Sequence, residues 1–479
     1  MNVSNRPAGD IELIKDENFR ILTGINVSTA RSGMFCERAI FDSREVRPMG
    51  WNRWYSLKSY IRSSLWIVPF VALLLYVAAI RFVYVFDGWS LWNDVWPWGV
   101  AGTQRMLETI ITMTLTFVVF TFGSLLVAIQ VAGGQLTPRI IATTLLSDNA
   151  IRFTVGLFIF TLLFATGALA RLDQTVLHGV SGLAGLLGFL SIAAFLYLID
   201  YAARLLRPVS IILRVGEKGH AVIEEVYPDV AGDEGPGDGD FCMTAAPDRV
   251  VYHQANPAVV VAVNLNALIA LAERTNSLIE LVPRVGDFVG TDEALFRLYG
   301  RNLPADRTLK NLVALGPERT LEQDSTFAFR IIADIGIKAL SKAINDPTTA
   351  VLAIDQLQRL LCFVGRRRLF GDEMRGKSGK LRLIRKTPNW EDFVQLSFSE
   401  IRLYGAENFQ IARRLRAVIE YALQVLPDDR RPALLIELDL LDRMMEKIYL
   451  LPEDLMLART PDSQGLGGSA RLPGQASQR

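Results

Sequence analysis

Between positions 65 and 206 the sequence carries four apolar stretches, at about 65–86, 107–132, 151–172 and 182–206. Each is long enough as a helix to cross a bilayer, for which about 20 residues suffice. Hydrocarbon offers backbone amides no partners, so such stretches must satisfy their own hydrogen bonds as helices or closed barrels, and their length selects helices. The fold class that follows is an α-helical membrane domain of four transmembrane helices, with a β-rich module and an α-helical C-terminal domain after it. The expected boundaries are 1–60 for a cytoplasmic N-terminal segment, 61–208 for the membrane domain, 209–303 for the β-rich domain, 304–455 for the α-helical domain and 456–479 for a disordered tail.

Charge fixes the expected orientation. Arg53, Lys58 and Arg62 precede the first span among Trp51, Trp54 and Tyr55, which suits a cytoplasmic interface. The connection after it holds Trp89, Trp92, Trp96 and Trp98 with Asp87 and Asp94 but no Lys or Arg, and so belongs outside. Arg139 and Arg152, then Arg204, Arg207, Arg214 and Lys218, return the chain inside. Both termini are expected in the cytoplasm of a multi-pass inner-membrane protein. Residues 1–60 have no apolar core with a small-residue cleavage site, so no cleaved signal peptide is expected. A net charge of +1 gives no global attraction to nucleic acid. The three cysteines and three histidines are scattered, so neither a disulfide framework, a metal site nor a cofactor is expected.

The second span is unusual in its polarity. Thr109, Thr112, Thr114, Thr116, Thr121, Ser124, Gln130 and Gln135 punctuate it, although a helix that met only lipid gains nothing from hydroxyls and amides. Thr114, Thr121, Ser124 and Gln135 fall near one side; Thr109, Thr112, Thr116, Gly123 and Gln130 fall on an adjacent one. The expected pathway-lining residues are Thr114, Thr121, Ser124, Gln130 and Gln135. Four spans enclose little lumen, so a pathway requires a homo-oligomer with this helix around an axis. Threonine also bonds back to its own helix, which gives helix packing as the competing explanation. In the fourth span Ser181, Ala184, Gly185, Gly188 and Ser191 lie close to one face, as in close helix packing.

Beyond Pro208, residues 209–226 and 249–264 contain β-branched runs, separated by an acidic Gly-rich loop. Residues 278–300 read as strand, turn, short strand, turn, strand, and Gly286-Asp287-Phe288-Val289 resembles the turn of a barrel-sandwich fold. From Thr320 the period becomes helical. Thr320 and Gln323 suggest a capping box, Asp346 and Pro347 start a second helix, Leu381–Ile384 is a short strand, and long helices follow at 390–426 and 431–450.

The second span ending LVAIQVAGGQLTPRI, the GDFV turn, the block GPERTLEQDSTFAFRIIADIGIKALSKAINDPTTAVLAIDQL, and EIRLYG followed by RRLRAVIE resemble the bacterial inner-membrane family known as domain of unknown function two-two-five-four. Lys342 departs from the proline expected after the serine. The resemblance implies a multi-pass membrane protein with a cytoplasmic tail domain and no settled activity.

The densest polar constellation outside the membrane makes Asp334, Asn345, Asp346 and Thr348 candidates for a ligand or cation, with capping and turn formation the competing role. Arg366–Arg368, Arg382, Arg385 and Lys386 are candidate contacts for anionic lipid headgroups. No phosphate loop, nucleophile elbow or HExxH occurs, which argues against an enzyme. Two functions fit: an oligomeric channel or transport-type protein with a cytoplasmic regulatory or assembly domain, or a membrane-anchored sensor or scaffold without transport activity.

Overall fold

The computed structural model describes residues 50–55, 57, 67–86, 99–135, 148–172, 178–205, 207–230, 246–369 and 372–468. The first 49 residues, the tryptophan-rich connection, Thr137 with Pro138, and the acidic loop at 231–245 lie outside them.

Four apolar helices pack together: α1 (Ile67–Phe86), α2 (Val100–Gln135), α3 (Asn149–Leu169) and α4 (His178–Leu205). By length and composition three of them can cross a membrane, over Val100–Gln130, Asn149–Leu169 and His178–Arg204. Four such spans are expected; among the described residues three are found, together with a shorter apolar helix over Ile67–Ala79. α3 is the central element and touches the other three. The small-residue face of α4 is buried as expected: an added Cβ at Gly188 would sit 3.0 Å from Ile110 of α2. Ser191 donates to Thr161 at 3.1 Å, an interhelical bond between buried side chains.

Residues 209–226, expected to join the β-rich region, instead belong to α5 (Pro208–Val226). Their β-branched residues recur at helical spacing: Ile211, Ile212, Val215, Val222 and Ile223 are buried on one face. That face packs on α8 (Ser325–Ala339) and α9 (Pro347–Gly365). Around them gather α10 (Trp390–Gly405), α11 (Phe409–Val425), α12 (Arg431–Ile448) and the short α13 (Pro452–Ala458). The long helix expected at 390–426 is broken, and Asn408 caps the restart by accepting from Gln410 N at 3.0 Å. Phe329, Phe393 and Phe398 are buried at the centre, each contributing about 1.5–3 kcal/mol of transfer free energy. One continuous apolar core runs from Phe158 and Leu198 of the membrane helices into this bundle.

The β-module is two sheets. One has the order β1-β5-β3-β8-β7, built from β1 (Arg249–Tyr252), β3 (Leu278–Leu281), β5 (Ala294–Tyr299), β7 (Glu373–Arg375) and β8 (Leu381–Arg385). The other is β4-β2-β6, from β2 (Ala258–Val263), β4 (Phe288–Val289) and β6 (Val313–Gly316). α6 (Leu265–Thr275) packs on β8 and β3, and a short α7 (Asp306–Lys310) precedes β6. The expected strand–turn pattern over 278–300 is present. Gly286 makes its turn at φ +93° while its N–H reaches Val260 O at 2.7 Å, a backbone conformation that side chains disfavour. The module does not end at 303, however. β8 returns from the helical region to lie parallel to β3, with Glu280 opposite Ile384, so the expected boundary cuts through a sheet.

Two further expectations are corrected. Thr320 and Gln323 do not cap α8. Asp324 does, accepting from Thr326 N and Phe327 N at 3.1 Å, while Gln323 accepts from Val263 N at 2.9 Å. The expected disordered tail begins inside α13, and residues 459–468 are held against the bundle by Arg413, which donates to Thr460 O at 3.0 Å and Gly468 O at 2.9 Å. Residues 469–479 lie outside the described residues. Trp51 and Tyr55 stack at 5.2 Å, and Tyr55 donates to Glu322, so this aromatic flank docks on the extramembrane assembly.

Candidate functional site

The polar helix α2 presents two faces. Towards its own bundle it buries Thr103, Leu107, Ile110, Thr114 and Thr121. Thr114 donates to Ile110 O at 2.6 Å, and the Thr121 hydroxyl is enclosed with no hydrogen-bond partner among the described residues. Phe117, one turn on from Thr114, stacks on Phe195 at 4.1 Å and fastens this face to α4. Two of the expected pathway residues therefore face neighbouring helices of the same chain.

The outward face is the one with a regular pattern. Arg105, Thr109, Thr112, Thr116, Val119, Gly123, Leu126 and Gln130 recur at alternating steps of four and three, and all are exposed. That is heptad spacing, which places them on one stripe. Thr109, Thr112 and Thr116 each donate to the carbonyl four residues earlier, at 2.7, 2.9 and 2.8 Å. A hydroxyl has one proton and two lone pairs, so these three turn acceptor oxygen outward. Ser124 lies beside the stripe and donates to Thr121 O at 3.0 Å. The Gln135 side chain lies outside the described residues. The sequence already separated the two faces; which one packs inward depends on α3 and α4, and no local spacing reveals it.

Where the membrane helices meet the bundle, Asp148 caps α3 and is only 7% exposed. It accepts from Ala150 N at 2.9 Å, from Tyr201 Oη at 2.6 Å and from Arg214 at 2.6 Å, while Arg214 also donates to Tyr201 at 3.2 Å. Three elements, α3, α4 and α5, are thus joined by one closed triangle. The Tyr201 and Arg214 partners lie 53 and 66 residues away, beyond the reach of any local pattern.

The extramembrane candidates separate. Asp334 accepts from Arg330 Nε at 2.8 Å, and Arg330 also donates to Glu400 at 2.9 Å, tying α8 to α10. The Arg330 guanidinium holds the Glu400 carboxyl below its usual range against a smaller opposing effect of burial. Asn345 is exposed in the left-handed region at φ 49°. Asp346 accepts from Thr349 N at 3.1 Å as the α9 cap, and Thr348 is exposed in the first turn. Asp334 and Asp346 share no hydrogen-bond partner among the described residues. Nor is there, among those residues, a group of three or more His, Cys, Asp or Glu side chains placed to hold a metal ion. In the basic run, Arg367 donates to Pro228 O at 2.8 Å and Arg382 is buried against Ser277 O and Asn276. Both hold the fold together.

Fold and site together define a membrane protein: several apolar helices carrying a large extramembrane assembly of helices and two sheets. A family described as predicted membrane protein (DUF2254) matches residues 62–421, and the chain belongs to it. Uncharacterized proteins of Mycobacterium bovis and of two strains of Mycobacterium tuberculosis are each 24% identical over 443 residues, which is 88% of this chain and 82% of theirs. No solved structure matches.

Proposed function

We propose that the chain is a homo-oligomeric channel or transport-type protein of the inner membrane. In this reading α1 is a fourth span, since its 20 residues reach about 30 Å as a helix. Arg152, Arg204, Arg207 and Arg214 then put the extramembrane assembly, and both termini, in the cytoplasm. One observation carries the reading: a heptad-spaced stripe on α2 in which hydroxyls, glycine and glutamine alternate with Val119 and Leu126, and which none of the described residues covers. Lipid gains nothing from those groups, whereas copies of α2 around an axis would turn them to one another and to water. The lining residues become Thr109, Thr112, Thr116 and Gln130, with Ser124 at the edge and Thr114 and Thr121 behind.

Gly123 makes this testable, because a Cβ there meets nothing within 4 Å among the described residues. Gly123→Leu leaves the protomer folded and shifts cross-linked or mass-resolved oligomers towards monomer. In liposomes the wild type passes ions, and a Thr109→Val/Thr112→Val/Thr116→Val variant loses at least about tenfold of the flux, since each buried polar contact is worth about 1 kcal/mol. An oligomer that Gly123→Leu does not disturb, or a wild type silent under voltage, pH and osmotic steps, sinks the proposal. A silent oligomer favours the second reading, a membrane-anchored sensor or scaffold, which draws on the same threonines donating to their own helix.

A further inference from the structure

Outside the membrane helices a cleft of about 550 Å³ opens where the sheets, the bundle and the end of α5 meet. Its size suits a small-molecule site, which runs from about 300 to 1,000 Å³. Arg385, the last residue of β8, lines it. The Arg385 Nε is shut off from solvent and has no hydrogen-bond partner among the described residues. Burial pulls down the affinity of this guanidinium for its proton, against the partial help of Tyr227 and Asp372. Asp372 is itself engaged, accepting from Thr387 N at 3.0 Å. A half-buried guanidinium whose enclosed Nε has no hydrogen-bonded counter-ion among the described residues is costly unless an anion arrives to complete it.

The rest of the wall suits the same guest. Asn264 and Asn266 bring the first turn of the 11-residue α6 to the cleft, where the positive end of a helix favours phosphate. Arg284, paired with Asp392 at 3.1 Å, and the exposed Lys386 add positive charge. Against them stand Glu225 and Asp324. Asp324 is already compensated, because Arg319 donates to it at 3.0 Å and two backbone N–H groups of α8 complete its shell. A carboxylate guest fits one face of a guanidinium, but a phosphate also offers oxygens to a helix end and to a lysine on a third side.

We propose that this cleft binds a phosphate-bearing small molecule, with Arg385 as its principal contact. The site is independent of whether the spans conduct. Its test uses the full-length protein in phosphatidylcholine nanodiscs, titrated calorimetrically with inorganic pyrophosphate, with citrate as the carboxylate comparison. The wild type binds pyrophosphate saturably with Kd below about 1 mM, and more tightly than citrate. Arg385→Gln weakens this at least about tenfold. Asn266→Glu does the same, and its acidic side chain suits the first turn of α6, so this exposed position decides the matter if Arg385→Gln fails to fold. Arg443→Gln, on the exposed face of α12, leaves binding unchanged. Nanodiscs containing phosphatidic acid separate the two sources of phosphate: competition with pyrophosphate that requires Arg385 assigns a lipid headgroup, and its absence assigns a soluble ligand. No saturable binding by the wild type, tighter binding of citrate, or undiminished binding in both variants overturns the proposal.

Discussion

Cys362, half-buried on α9, shows how one environment sets reactivity. Burial pushes its thiol up to about 11 despite the nearby Arg366. The thiolate is the nucleophile, so a rise of about two units leaves roughly a hundredfold less of it at pH 8. In a Cys36→Ser/Cys242→Ser chain, Ellman's reagent should react slowly at pH 8 and faster as the pH climbs towards 11. Reaction at pH 8 as fast as with free cysteine would contradict the burial. At this scale the sequence was legible wherever a contact is local. Asp346 caps α9 as its place before Pro347 implies. Thr320 and Gln323 misled because Gln323 bonds to Val263, 60 residues away, while Asp324 reaches two backbone donors at once.

Among elements, α5 is the instructive case. Its β-branched content suggested strand, yet its buried residues keep a helical period, and the period outweighs propensity once a partner surface exists. Two glycines measure how close that surface is. A Cβ on Gly219 would lie 2.6 Å from Ala328 Cβ and 3.3 Å from Leu360, both on packed helices. On Gly216 the nearest atoms are those of the Gln356 amide, the far end of an unbranched side chain. Alanine in place of glycine gains about 1 kcal/mol of helix propensity, whereas overpacking costs about 1–3 kcal/mol. Gly219→Ala should therefore lower stability by up to about 2 kcal/mol in denaturant unfolding, and Gly216→Ala should be neutral or stabilising. The opposite order would mean that α5 does not dock on α8. The β-module's edge was illegible for a related reason: β8 pairs with β3 across about a hundred residues, a register that no local pattern encodes.

The whole molecule is closed at its end by a buried charge. Arg413, 2% exposed, receives its partners from the chain after α13. A chain ending at Ala458 strands that guanidinium and should lose about 3 kcal/mol or more, as for a buried charge stripped of its partners. Arg413→Met in the shortened chain should restore much of the loss. A shortened chain as stable as the full one would show that residues 459–468 hold nothing. The tail was expected to be disordered, but residues 459–468 are ordered by Arg413 and Arg414 of α11 and by Asp462, which accepts from Gln464, Gly465 and Gly467 N, contacts that composition does not reveal.

Only residues 206 and 207 separate α4 from α5, and Asp148, Tyr201 and Arg214 clamp the joint. The apolar core runs unbroken from α4 into α5. Because α5 packs directly on α8 and α9, a tilt of α4 in the bilayer would be carried across this joint as a rigid lever into the extramembrane bundle.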